Sequence, residues 1–438
     1  MYTEISQCRL CGNRQLTTVL SLGDQYLATS FVKTNKGNPL AKIKVPLTLV
    51  LCDPAKNPKA CGLVQLRETV ERDVMYREYF YRSHTNPMMR DALKEIVDEA
   101  TRRVELTAND AVLDIGCNDG TLLTFYPDSV RRFGIDPAAN IPIRQADSSI
   151  AIAVDYFGAS VAAKLSGDAR FKIVTSIAMF YDLDDPHGFV RDVKQVLAED
   201  GVWCLQLSYL RDLIEQMNFY DICHEHLLYY SLRALCSLFE AHGLTVVDAS
   251  TNLVNGGSIR LFVKHEAAGV EQGPAVEQLL KEEKQLGLAN AATYREFANR
   301  IDALKVSILG YMSDEQQRGG MVSGLGASTK GNVLLQYFGI TKENMPFITD
   351  RNPDKAGLRT LGTDIEVVPE EHGRKVRPST QLVLIWFFKD ELLKREERYL
   401  AEGGKLLFPM PSPHLVGASG EYALPAPSSL SQTAVARS

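Results

Sequence analysis

Three groups of side chains in this sequence are suited to chemistry. Cys8 and Cys11 form a Cys-x2-Cys knuckle, and Cys52 and Cys61 follow, separated by the turn-rich DPAKNPKA, which can loop out and return the second sulfur to a shared ion. Four thiolates suit a tetrahedral zinc ion and leave no open coordination position, so such a metal would hold the fold rather than react. The segment VLDIGCNDG, Val112 to Gly120, delivers Asp114 and then Gly116-x-x-x-Gly120 into a helix start. Glycine there lets the backbone approach a ligand at the carboxyl edge of a sheet, where α/β folds bind nucleotides. Asp136, in GIDP, ends the next strand, where a carboxylate can accept both ribose hydroxyls, and Asp155-Tyr156-Phe157 ends a third, placed to address an adenine. The last group is Asp221-Ile-Cys-His-Glu-His, in which His224 and His226 flank Glu225. His-x-His with no third ligand nearby is weak as a metal site. A neutral imidazole, ordinarily titrating at about 6.5, can take a proton near neutrality with a carboxylate to orient it. The alternative is a pair of hydrogen-bonded structural histidines.

The elements that must position these groups are legible in the hydrophobic pattern. Short strand-like pieces, KVPLTLVL and GLVQL, surround the cysteines, and a helical stretch, DALKEIVDEATRRV, carries Leu93, Ile96 and Val97. From Ala111, AVLDIG, RRFGID, IAIAVDYF, FKIVTSIAMF and GVWCLQLSYL alternate with helical intervals, which reads as a parallel α/β sheet. The pattern divides the chain into a zinc-binding unit at 1–70, an α/β unit at 71–268, a helical connector at 269–317, a second α/β unit at 318–416 and a disordered tail at 417–438. In the second α/β unit Gly324 to Ser328 opens a helix N-terminus suited to phosphate, with Lys330 as an added cation. Thr329 stands where a dinucleotide fingerprint has its third glycine, which argues against an oxidoreductase.

Composition narrows the function classes. The chain has 438 residues, 45% hydrophobic and 23% charged, which excludes a disordered or collagen-like protein and allows two or three domains. A net charge of −6 disfavours a surface for polymeric nucleic acid. Apolar runs such as Leu382 to Phe388 fall well short of the roughly 18–20 residues of a membrane span. The N-terminus lacks a basic region followed by an apolar one, so a cytoplasmic enzyme with no membrane partner is expected. Oligomeric state is left open.

The ordered series VLDIGCNDG, GIDP and DYF resembles class I S-adenosylmethionine-dependent methyltransferases. Together with the N-terminal cysteines, YFYRS at Tyr79 to Ser83, HEHLLYYSL at His224 to Leu232, NGGSIR at Asn255 to Arg260, GASTKGNVLLQYFG and DRNPDKAG, the chain from Cys8 to about Pro413 resembles the three-domain sugar C-methyltransferases. These act on nucleotide-linked 4-keto-deoxysugars, and the best-known relatives methylate C3.

The resemblance implies an α/β class I methyltransferase Rossmann-like core between an N-terminal zinc-binding domain and a C-terminal Rossmann-like domain. It implies S-adenosylmethionine held by Asp114, Gly116, Cys117, Asn118, Gly120, Asp136, Pro137, Asp155, Tyr156, Phe157 and Ser176, and structural zinc on the four cysteines. His226 would be the base that forms an enolate, Glu225 would position or polarise, and Tyr79 or Tyr81 would line the pocket or stabilise the enolate oxygen. His224, Cys223, Asp182, Asn255 and Lys330 would face a nucleotide-sugar substrate. Two departures stand at the site: relatives often carry tyrosine where this chain has Cys223, and histidine where it has Asp182. Methylation of oxygen or nitrogen on a sugar or secondary metabolite, or noncatalytic sugar-nucleotide binding, are the competing readings.

Overall fold

The structure is a computed structural model that describes residues 2–76, 82–85, 87–141, 149–167, 169–266, 269 and 271–424. Seven strands form the central sheet, each short and apolar: β1 Ala111–Ile115, β2 Arg131–Asp136, β3 Ile150–Val154, β4 Phe171–Ile177, β5 Leu197–Ser208, β6 Leu244–Asn252 and β7 Ser258–His265. Their order is β6-β7-β5-β4-β1-β2-β3, with β7 antiparallel to both neighbours and the strands from β5 to β3 parallel. Helices cover both faces, so β1 is buried along its whole length and reads as a continuous apolar run broken only by Asp114. The order reverses between β4 and β1, and a crevice opens at the carboxyl ends of parallel strands where connections diverge in this way.

The cysteine-bearing unit is an antiparallel sheet of Leu16–Gln25, Val45–Cys52 and Val64–Leu66. It is stitched to both other domains through backbone pairing. Leu228–Tyr229, just after the HEH motif, adds to Val64–Leu66, and Phe31–Val32 adds to Arg359–Thr360 at the edge of the C-terminal sheet.

Helices Pro274–Leu286 and Ala291–Gln317 lead to a second parallel sheet built on Val322–Leu325, Phe347–Asp350, Glu366–Pro369, Thr380–Val383 and Lys405–Phe408. Buried Leu47, Phe219, Ile301, Val333 and Leu407 belong to one continuous core, so the first domain, the connector and the last domain pack as a unit. Order continues past residue 417: His414–Gly417 and Gly420–Ala423 form an antiparallel hairpin at the sheet edge. Backbone pairing holds this stretch despite its small residues, and residues 425–438 lie outside the described ones. Among the described residues no helix is long and apolar enough to cross a membrane.

Candidate active site

A cleft of about 1500 Å³ runs between the carboxyl edge of the central sheet, the N-terminal domain and the glycine turn of the C-terminal domain. Its first wall is the turn after β1. Gly116 sits at φ +73°, and its amide donates to the Ile135 carbonyl at 2.8 Å. A Cβ on Gly116 would lie 3.1 Å from Met179 Cγ, so a side chain would fill the space into which the turn opens. Asp136 ends β2 with its carboxylate fixed by the Asn118 and Ala138 amides at 2.8 and 2.9 Å. Each oxygen keeps a lone pair for a vicinal diol. Burial first, then the Asp136 charge, push Asp114 up to about 7, opposed by a 2.6 Å hydrogen bond from Thr175 Oγ1.

Asp114, Gly116, Cys117, Asn118, Asp136, Pro137, Tyr156 and Phe157 all line the cleft. Gly120, Asp155 and Ser176 do not. Gly120 backs onto Ile152. Asp155 is exposed and accepts from the Tyr156 amide at 2.8 Å. Ser176 faces the aromatic core, where Trp203 Nε1 donates to its hydroxyl at 2.8 Å. Tyr156 is held by the segment that follows the N-terminal domain, with Arg72 stacked 4.0 Å from its ring centroid and its hydroxyl 2.8 Å from Asp73.

The opposite wall carries the HEH segment. His226 lies 3.5 Å through Nδ1 from Asp221 Oδ1, and its ring packs 4.2 Å from that of Tyr181. The same Asp221 oxygen is paired at 2.7 Å with Lys330 Nζ. Burial would raise Asp221, but Lys330 and His226 hold its carboxyl below the usual range. Burial pushes the other acids the opposite way: Glu225, with Asp221 nearby, rises to about 8, and Asp182, near Glu225 and Asp221, rises well above its ordinary value. Among the described residues, Glu225 Oε1 and Asp182 Oδ1 are buried without a hydrogen-bond partner. Burial also lowers His226.

Cys223, His224, Asp182, Asn255 and Lys330 line the same cleft. Cys223 is a buried thiol pushed well up by burial. His224 turns toward the N-terminal domain, its Nε2 3.0 Å from the Val45 carbonyl. Tyr79 and Tyr81 lie outside the described residues. On either side of them, Tyr76 donates to the Glu225 carbonyl at 2.9 Å, and the Ser83 and His84 amides donate to Asn118 and Asp119 at 3.1 Å.

Sequence reasoning missed Asp221 and Asp119. Both stand inside motifs quoted above but without a role there; for Asp221 the signal is an acidic residue five positions before a candidate base. The turn at Gly324 to Ser328 is internally committed. The Ala327 amide donates to Asp350 at 2.7 Å, Ser328 Oγ accepts from Gly331 at 2.9 Å, and Lys330 reaches Asp221.

The four N-terminal sulfurs all lie within 4.8 Å of one another, with Cys8 to Cys61 at 3.6 Å and Cys11 to Cys52 at 3.4 Å. A tetrahedral ion with metal–sulfur bonds of about 2.3 Å needs sulfurs about 3.8 Å apart, so the donor set fits zinc. The Leu10 amide and the Asn13 side chain point at Cys8 and Cys52 sulfur, at 3.4 and 3.5 Å, which supports anionic thiolates.

A sheet of this order, with a glycine turn after β1 and a carboxylate closing β2, defines a class I S-adenosylmethionine-dependent methyltransferase. More narrowly, the chain belongs to the three-domain C-methyltransferase family. Its residues 8–76, 81–249 and 253–411 match the family models described as "Putative zinc binding domain", "Methyltransferase domain" and "C-methyltransferase C-terminal domain". It is 32% identical over 418 residues to the C-methyltransferase NovU of Streptomyces niveus, covering 94% of this chain and 97% of that protein. Solved structures matched by part of the chain include a methyltransferase bound to the Trm112 activator from Haloferax volcanii, at 16% identity and TM-score 0.34 over 41% of this chain and 92% of that one. Another is an S-adenosylmethionine-dependent methyltransferase from Clostridium acetobutylicum, at 13% identity and TM-score 0.32 over 40% and 91%. The protein is therefore an S-adenosylmethionine-dependent C-methyltransferase with a structural zinc domain.

Proposed function

We propose that the acceptor is a nucleotide-linked 4-keto-deoxysugar methylated at C3 through an enolate. The observation that carries this reading is one imidazole, backed by a carboxylate, in the same cleft as the cofactor turn. Asp221 at Nδ1 favours the tautomer with the proton on Nδ1, which leaves the Nε2 lone pair as the base. A ketone acidifies the neighbouring C–H, and His226 takes that proton. The enolate oxygen then needs donors already in place. Glu225, pushed up to about 8 by burial, can carry a proton near neutrality and donate there; Asp182, raised by burial in the same direction, is proposed with Tyr79 and Tyr81 for the same wall. Asp182 stands where relatives often carry a histidine.

When bound, S-adenosylmethionine supplies the activated methyl group. Asp136 and the Gly116 turn hold and orient it, and Tyr156 and Phe157 line its place in the cleft. Cys223, a small buried thiol where relatives carry a phenol, leaves extra room beside the sugar and is the residue best placed to set which one is accepted.

The test is enzyme with a panel of 4-keto sugar nucleotides in heavy water. Deuterium should enter the carbon next to the ketone without added methyl donor, and His226→Asn should abolish both exchange and methylation, by about 10²- to 10⁴-fold. Methyl transfer to oxygen or nitrogen with no carbon-bound exchange would replace this reading with the heteroatom one.

A further inference from the structure

Lys330 was expected to meet a substrate phosphate, yet its ammonium points elsewhere. It lies 2.7 Å from Asp221 Oδ1 and 3.0 Å from the Asn255 carbonyl, with its side chain 17% exposed and that of Asp221 4%. Lys330 belongs to the helix Thr329–Phe338 of the C-terminal domain, whereas Asp221 and His226 belong to the methyltransferase domain. The Asp221 oxygen that receives the ammonium is also the one facing His226 Nδ1. A carboxylate this deeply buried would take up a proton if left alone, and a neutral Asp221 could neither select the imidazole tautomer nor stabilise the imidazolium.

We propose that Lys330 and Asp221 are positioning residues for the base, with Lys330 clamping the Asp221 carboxylate against His226 so that the C-terminal domain completes the reaction centre rather than only covering it. This rests on His226 being the base. The role differs from phosphate binding, and the geometry already spends the cation on Asp221.

The groups facing His226 are Asp221, Lys330, Glu225, Cys223 and Tyr181, with Asp182 beside Glu225 and Asp221, so two charges of opposite sign can be removed separately against a fixed background. Removing the cation in Lys330→Met should make the Asp221–His226 pair take up its first proton at higher pH, whichever partner carries it. Removing the carboxylate in Asp221→Asn should lower the imidazole's proton affinity. The acid limb of kcat/KM should move upward in the first variant and downward in the second. Both should lower kcat by about 10- to 10³-fold with the sugar-nucleotide KM little changed, and Lys330→Arg should recover part of the loss.

The same shifts should appear without substrate, in an NMR titration of enzyme carrying ¹³C-labelled histidine, with His226→Asn assigning the resonance. That readout decides the proposal even if no ketosugar is turned over, an outcome that would remove the substrate reading alone. Reading the two variants independently keeps the test intact if one fails to fold. The proposal is overturned if Lys330→Met raises KM while kcat and the titration stay at wild-type values, which would make Lys330 a substrate ligand. It is overturned equally if Asp221→Asn leaves the His226 titration in place.

Discussion

Around the single imidazole of His226 stand Asp182, Asp221 and Glu225, and what separates their roles is which of them has a cation. Asp221 has Lys330, which helps hold its carboxyl below the usual range; among the described residues Glu225 and Asp182 have no comparable cation, and burial pushes both upward, Glu225 to about 8. Under the proposed function, this wall pairs a basic nitrogen with an acidic hydrogen on Glu225, the combination that enolate chemistry requires. On the cofactor wall the corresponding residue is Asp136, whose two oxygens are pinned by the Asn118 and Ala138 amides before any ligand arrives. Because this orientation is fixed in advance, little ordering entropy opposes the ribose hydrogen bonds. Asp136→Ala should weaken S-adenosylmethionine binding by about 1.5–3 kcal/mol, roughly 10- to 150-fold in Kd by calorimetry. An unchanged affinity would mean that the nucleoside is not at the end of β2.

At the scale of elements, the HEH segment divides its two histidines between two jobs. His226 faces the cleft, and His224 reaches out of the domain to the carbonyl of Val45, the first residue of the strand Val45–Cys52. Burial lowers His224 to about 4. Its ordinary value is about 6.5, so the undocked state binds a proton that the docked state refuses. Docking is therefore at full strength above about pH 6.5 and weakens as the pH falls toward about 4. Hydrogen exchange in Val45–Cys52 should quicken over that window, and His224→Gln, which keeps a donor but cannot titrate, should flatten the response. A window unchanged in that variant would assign the effect to another group.

The fate of these two side chains also shows what could be read in the sequence. The strands that carry Asp114 and Asp136, the glycine turn and the cysteine pairs were legible because each is a local pattern in which a few adjacent residues set backbone conformation. The pairings of His224 with Val45 and of Asp221 with Lys330 were not, because each is made across domain boundaries by residues distant in the chain. Ser176 shows the same limit from the other side: it sits at the correct end of β4, but strand alternation turns its hydroxyl toward Trp203.

For the whole molecule, the zinc domain is the piece on which the other two are registered. It supplies the Val45 carbonyl to His224, pairs a strand with Leu228–Tyr229 and another with Arg359–Thr360, and places Thr29, Ser30 and Phe31 on the cleft. The Leu10 carbonyl, inside the knuckle, also lies 2.7 Å from His187 Nε2 on the methyltransferase domain. Apparent zinc-binding energies in four-ligand sites are about 10–16 kcal/mol, comparable to or larger than the net stability of a whole domain at about 5–15 kcal/mol. Removing the ion should unfold the N-terminal unit locally rather than only soften it. Because that unit builds one wall of the cleft, activity should fall together with thermal stability, although none of the four clustered sulfurs lines the cleft. Purified enzyme should contain one zinc per chain. Chelation or Cys52→Ser should lower Tm, speed hydrogen exchange at Val64–Leu66 and Leu228–Tyr229, and reduce kcat/KM in step with the fraction of metal lost, while S-adenosylmethionine affinity, set at β1 and β2, changes least. Metal-free enzyme that retained its Tm and turnover would show that the four thiols pack without an ion and that the domains are held in register by backbone pairing alone.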